Sequence, residues 1–305
     1  MSMNKFNIPS EYLKNCSYCH DADASYQCSN CERAKYCDRK CQKDHWPLHK
    51  SECREFAQEK LRNNQTPQAT TLNEEAKRAE KFIESVYQVD IEEVKTYIDN
   101  NGNVNYRSVR NDDQKKMIFR GDTGLLVSST HNKVKIASFL LSHGADVNAK
   151  AKKDNCTALH TSNTPEMTLL LLENGAEVNG TDNDKDTALH RACICSRTEM
   201  VLLLLSRGAG INLGNKRKWT PLHIACQQGN EEIVTVLINH GANIEAQDIS
   251  GATALHFAAN FNHSDVIKIL VKQGAKCDTL DSEARTPLIT AAANGTHQYS
   301  HCFIR

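Results

Sequence analysis

From about Thr123 onward, apolar and polar positions fall into a helix, turn, helix rhythm that restarts every thirty-odd residues. The clearest unit opens at Thr220. Small and apolar residues run through His223-Ile-Ala-Cys226, a polar break follows, and Ile233, Val236, Leu237 and Ile238 then fall on one face of a second helix. Ala225 and Cys226 are small enough for neighbouring helices to approach closely. The threonine is placed to cap the first helix through its hydroxyl. Gly241, just past the second helix, can take the left-handed conformation that ends it.

Thr187-Ala-Leu-His, Thr220-Pro-Leu-His and Thr253-Ala-Leu-His recur at intervals of 33 residues, and Thr286-Pro-Leu follows at the same interval. Thr157-Ala-Leu-His precedes Thr187 by 30, and Thr123-Gly-Leu-Leu precedes that by 34. A second signature closes each unit: His143-Gly-Ala-Asp-Val-Asn148, Asn174-Gly-Ala-Glu-Val-Asn179, Arg207-Gly-Ala-Gly-Ile-Asn212, His240-Gly-Ala-Asn-Ile-Glu245 and Gln273-Gly-Ala-Lys-Cys-Asp278. One such unit cannot bury its own apolar face, so the pattern predicts a stack. Period and signature resemble the ankyrin repeat over about Thr123–Ala292. His160, His190, His223 and His256 share one repeat position, which in this family bonds backbone rather than metal.

Three departures stand out. The unit from Thr157 lacks three residues between its helices, which predicts a shortened first helix and Pro165 at the start of the second. Glu80–Asn105, with Phe82, Ile83, Val86, Val94, Tyr97 and Ile98, resembles a degenerate first repeat whose polar character suits a cap. About ten extra residues follow it, in an insertion holding Arg107, Arg110, Lys115, Lys116 and Arg120. The last unit, from Thr286, is partial, and Gln298–Arg305 does not read as a second helix.

The N-terminal part has a different chemistry. Seven of the thirteen cysteines fall between Cys16 and Cys53, in the order Cys16-x2-Cys19, Cys28-x2-Cys31, Cys37-x3-Cys41 and His49-x3-Cys53. A Cys-x2-Cys turn sets two thiolates on one side of a tight loop, close to what tetrahedral zinc requires. Eight ligands make two closed sites with none left over. A segment this short buries little apolar surface, so the metal would supply most of its folding energy, on the order of 10 kcal/mol per site. Spacing leaves the pairing open, and leaves His45 and His20 as competing donors. The run from Tyr36 to Cys53, Tyr-Cys-Asp-Arg-Lys-Cys-Gln-Lys-Asp-His-Trp-Pro-Leu-His-Lys-Ser-Glu-Cys, resembles the end of a MYND zinc finger, and the match spans about 16–53. The resemblance implies an interleaved cross-brace, with Cys16, Cys19, Cys37 and Cys41 on one zinc and Cys28, Cys31, His49 and Cys53 on the other. It also selects His49. Closed sites have no open position for water, which makes both zincs structural.

MYND fingers typically bind short proline-containing peptides in a shallow groove. Gln42 and Trp46, four residues apart on one side of a short helix, are the groove candidates, with Tyr26 at its border. An indole stacks on proline, and an amide bonds an extended backbone.

The expected fold is therefore mostly α: a small two-zinc cross-braced finger at 14–56, a polar linker at 57–78 around Asn63-Asn64-Gln65-Thr66-Pro67, and an α-solenoid of ankyrin repeats at 79–305. Charge then narrows the function. Lys plus Arg equals Asp plus Glu, 37 each, and a neutral chain argues against a nucleic-acid-coating protein. The first ten residues lack an apolar stretch and no run is long enough to cross a bilayer, which points to an intracellular protein, cytoplasmic or nuclear. Cysteines in a reducing compartment serve as ligands or buried small residues. No P-loop, nucleophile elbow or dinucleotide fingerprint is present. The reading is a non-enzymatic adaptor, with a proline-containing peptide on the finger and another protein on the concave face of the repeats. The alternatives are a nucleic-acid-associated transcriptional regulator and a RING-like ubiquitin ligase, whose ligand spacing the Cys37-x3-Cys41 and His49-x3-Cys53 pairs do not fit.

Overall fold

The computed structural model describes the backbone of residues 26–27, 35–36, 67–109 and 121–293, and the side chains of residues 74–109 and 121–293. The chain forms two compact units, residues 1–77 and 78–305. In the first, β1 (Tyr26–Gln27) pairs antiparallel with β2 (Lys35–Tyr36), with Tyr26 opposite Tyr36. Helix α1 (Pro67–Gln88) begins inside the stretch read from sequence as linker. Its first residue is the proline that closes the Asn-Asn-Gln-Thr-Pro run, and proline's fixed φ suits a first helical position.

Helix α2 (Ile91–Asp99) follows α1 closely, and the Asp90 carboxylate caps it by accepting the Glu93 N–H. Phe82, Ile83, Val86 and Val94 form a core that continues into Val127, Ile136 and Leu140, and Phe82 stacks on Tyr97 at 4.5 Å. The polar face of this pair includes a buried carboxylate. Glu80 accepts the Tyr106 hydroxyl at 2.9 Å, the Ser108 hydroxyl at 3.1 Å and the Val109 N–H at 2.5 Å. These donors and the Arg107–Thr123 bridge close the base of the insertion. Arg110, Lys115, Lys116 and Arg120 lie outside the described residues, as does Gln298–Arg305.

Six further steps follow as inner and outer helices. They are α3 (Gly124–Thr130) with α4 (Val134–Ser142), α5 (Ala158–Thr161) with α6 (Pro165–Glu173), α7 (Ala188–Ile194) with α8 (Thr198–Ser206), α9 (Pro221–Gln228) with α10 (Glu231–Asn239), α11 (Ala254–Asn260) with α12 (Ser264–Lys272), and α13 (Pro287–Ala293). Leucines at equivalent positions, Leu171, Leu204, Leu237 and Leu270, are fully buried and belong to one continuous core. Cys193 and Cys226 take the place of small residues in it and are wholly enclosed. Among the described residues no helix is long and apolar enough to cross a membrane.

The deletion between α5 and α6 leaves α5 with four residues. The neighbouring steps replace the missing turn. Asn163 donates to the Thr130 carbonyl at 3.0 Å, while Arg197 reaches the Ser162 carbonyl at 3.3 Å and the Asn163 side chain at 2.7 Å. Pro165 occupies the first turn of α6, and the Thr164 hydroxyl caps it.

Outer helices end in a left-handed glycine: Gly144, Gly175, Gly208, Gly241 and Gly274 have φ between 81° and 91°. A Cβ at Gly241 would meet nothing within 4 Å, so the requirement there is conformational alone. Gly241→Ala is expected to lower stability by about 1 kcal/mol through the φ penalty, read as a shift of the urea midpoint with the slope unchanged.

Candidate binding surfaces

The eight predicted zinc ligands, Cys16, Cys19, Cys28, Cys31, Cys37, Cys41, His49 and Cys53, lie outside the described residues, as do Gln42 and Trp46. Tyr26 is placed only as a backbone, at the start of β1. Among the described residues no group of three or more His, Cys, Asp or Glu side chains is placed to hold a metal.

Three ladders fix the surface of the solenoid. The first is built from the repeated histidines. In each, Nδ1 accepts the backbone N–H of the capping threonine: Thr157 to His160 at 3.2 Å, and Thr187 to His190, Thr220 to His223 and Thr253 to His256 at 3.1 Å. That donor makes Nδ1 the acceptor and leaves the proton on Nε2. Nε2–H donates to the carbonyl just ahead of the next threonine: Asp186 at 3.1 Å, Trp219 at 3.0 Å, Ala252 at 3.3 Å and Arg285 at 3.0 Å. Both ring nitrogens are engaged, and each ring ties its repeat to the next. Burial drives all four imidazoles below their ordinary pKa, against the acceptor carbonyls and neighbouring aspartates that favour the charged form.

The second ladder uses the asparagine that closes each signature. Asn148, Asn179 and Asn212 donate to the carbonyls of Gly175, Gly208 and Gly241 and accept the N–H groups of Glu177, Gly210 and Asn243. Asn105 does the same to the Gly144 carbonyl and the Asp146 N–H. It therefore belongs to this series, and Asn101, at φ 59°, takes the place the glycines hold elsewhere. The pair formed by α1 and α2 is a repeat with its own closing signature, one the threonine period does not find.

The third ladder is formed by the hairpin tips between repeats. Asp182, Asp248 and Asp281 each accept backbone N–H groups from two residues of their own tip, and Asn215 does so through its side-chain oxygen. Successive tips bond to one another: Asn183 N–H to Asp154, Lys216 to Asp184, Ile249 to Arg217 and Ser282 to Ser250. Arg191 pairs with Asp182 at 2.6 Å, and Arg285 with Asp281 at 2.9 Å. Burial pushes the Asp182 and Asp281 carboxyls up, but these arginines and the tip N–H groups outweigh it and hold both below the usual carboxylate range.

Between tips and inner helices lies a cavity of about 240 Å³, lined by Trp219, Asp248, Phe257, Asn260, Phe261 and Arg285, among others. Trp219 and Phe257 meet edge to face at 5.1 Å. Phe261 is 43% exposed, and Ile194, Ile249 and Ile289 are also exposed on this chain. The aromatic and isoleucine side chains belong to no repeat signature and stand where the repeats disagree, whereas Asp248 recurs with Asp182, Asn215 and Asp281 at intervals of 33 residues. The buried thiols offer no nucleophile. Burial pushes Cys156 up to about 12, and Cys193 and Cys226 higher still.

Comparison with protein families agrees with this architecture. The ankyrin-repeat family model matches three times, over residues 83–182, 161–248 and 246–302. The MYND finger model matches residues 16–53.

Proposed function

We propose, for a chain that belongs to the ankyrin-repeat family and carries a MYND finger ahead of its repeats, that it works as a non-enzymatic adaptor joining two proteins. Both modules are protein-interaction domains without catalytic machinery of their own. The observation that carries the reading is their presence on one chain in two compact units.

MYND fingers bind zinc, and this finger has a complete Cys7His1 donor set. In our reading, domain limits are 14–56 for the finger, 57–78 for the linker and 79–305 for the repeats. Cys16, Cys19, Cys37 and Cys41 hold one structural zinc, and Cys28, Cys31, His49 and Cys53 the other. Gln42, Trp46 and Tyr26 border the groove for a proline-containing peptide. The zinc-filled framework holds that surface in shape, and the concave face of the repeats takes the second protein. The protein would act inside the cell, in cytoplasm or nucleus; free cysteines at 156, 193, 195, 226 and 277 support a reducing compartment.

Trp46→Ala is expected to weaken binding of a proline-containing peptide by roughly tenfold or more, measured by fluorescence anisotropy on zinc-loaded full chain. Unchanged binding removes the groove assignment. A nucleic-acid regulator would instead lose affinity steeply with salt, and the chain's balanced charge does not favour it.

A further inference from the structure

We propose that the cavity at Trp219 and Phe257 is the anchor site of the concave face, and that it takes a cationic side chain, lysine or arginine, from an extended segment of the partner. The proposal rests on the adaptor reading of the solenoid and adds the chemistry of what is bound.

The charged side chains that line the cavity are Asp248, Asp281 and Arg285. Arg285 is already neutralised: Nε and Nη2 meet Asp281 Oδ2, and Nη1 meets Glu283 Oε2, all at 2.9 Å. Asp248 has no such partner. Its Oδ1 is saturated by the Ser250 N–H and hydroxyl at 2.7 Å and the Ala252 N–H at 3.0 Å. Its Oδ2 accepts only the Trp219 indole N–H, at 3.1 Å. Among the described residues no Lys, Arg or His forms an ion pair with Asp248, although its residue surface is only 9% exposed. Asp248 thus lines the cavity with one acceptor oxygen that has spare capacity, while the other two charged lining residues, Asp281 and Arg285, pair with each other.

The walls suit the same guest. A lysine or arginine carries an apolar stem below a charged head. Phe257 and the half-exposed Phe261 offer apolar surface for the stem. Aromatic faces attract cations, as the Arg217 guanidinium 5.0 Å from the Trp219 ring centroid illustrates. A carboxylate guest would meet Asp248 unpaired. An uncharged apolar guest would fill the space but leave that oxygen without a bond.

The test selects peptides from a random displayed library against zinc-loaded full chain, then measures individual binders by anisotropy. Solenoid-dependent binders are expected to carry Lys or Arg at one fixed position. Phe261→Lys, with its fold checked by a melting curve, should weaken them at least tenfold. Phe261→Glu should preserve or strengthen them, and Asp248→Asn should weaken them severalfold. A merely structural role would not produce opposite responses to Lys and Glu at one position. Binders that compete for the inner helices, are lost in Ile194→Lys, and ignore both Phe261 variants would overturn the anchor site and leave the adaptor reading standing. If no solenoid-dependent binder emerges, both fail together.

Discussion

Acidification from pH 7.5 to 5.5 should strip several kcal/mol from the solenoid's stability. His160, His190, His223 and His256 are neutral in the fold because burial lowers their pKa and because Nδ1 accepts a backbone N–H. In the unfolded chain they titrate near 6.5. Above that value both states are neutral, and the histidines contribute no pH dependence. Below it the unfolded chain takes up protons that the folded chain refuses, so stability falls until the folded rings themselves protonate. Each ring can contribute up to about 1.4 kcal/mol per pH unit in that window, and four give a ceiling of about 6 kcal/mol per unit. That is a large part of the 5–15 kcal/mol typical of a domain. Asp182 and Asp281 shift in the same direction but from a lower starting value. Their depressed pKa values supply stability that is full above roughly pH 4 and lost only below it. The two windows are therefore separate. Urea midpoints at half-unit pH steps should show the first loss between pH 6.5 and 5.5. His190→Gln should remove about a quarter of that slope, and a midpoint flat to pH 5 would contradict the ladder.

Zinc removal should have the largest effect on the finger and very little on the repeats. With the eight proposed metal ligands in 38 residues, coordination would supply on the order of 10 kcal/mol per site, more than so short a segment gains from burial. The solenoid core runs through residues 82 to 291. Excess chelator at pH 7 is expected to release both zincs, expose segment 16–53 to proteolysis and abolish proline-peptide binding, while the helical dichroism of the repeats persists. Loss of helical signal in parallel with zinc would show that the repeats depend on the metal.

How far the sequence was legible follows from what a period can encode. The threonine caps, the histidine position, the closing glycine and the small residues Ala225 and Cys226 recur because each serves the contact between neighbouring repeats. They read directly, and so did the clipped helix after Thr157. Asn105 was harder, because its signature lies 43 residues from Asn148 across an insertion, with Asn101 in place of glycine. The start of α1 at Pro67 was hidden by a polar run without a buried stripe. Trp219, Phe257 and Phe261 were not legible at all, whereas Asp248 shares the 33-residue period of Asp182, Asn215 and Asp281. A binding surface on a solenoid uses positions freed from stacking, and only stacking of successive tips and helices brings the three aromatic side chains and Asp248 to one cavity.

The proposed adaptor has two independent protein-binding sites. Its most direct test mixes full-length zinc-loaded protein with two labelled ligands at once: a proline-containing peptide for the finger and a selected lysine- or arginine-bearing peptide for the repeats, followed by two-colour fluorescence cross-correlation. The account predicts a ternary complex in which Trp46→Ala removes only the first label and Phe261→Lys only the second. Mutual exclusion of the two peptides, or loss of both labels from either substitution, would contradict it.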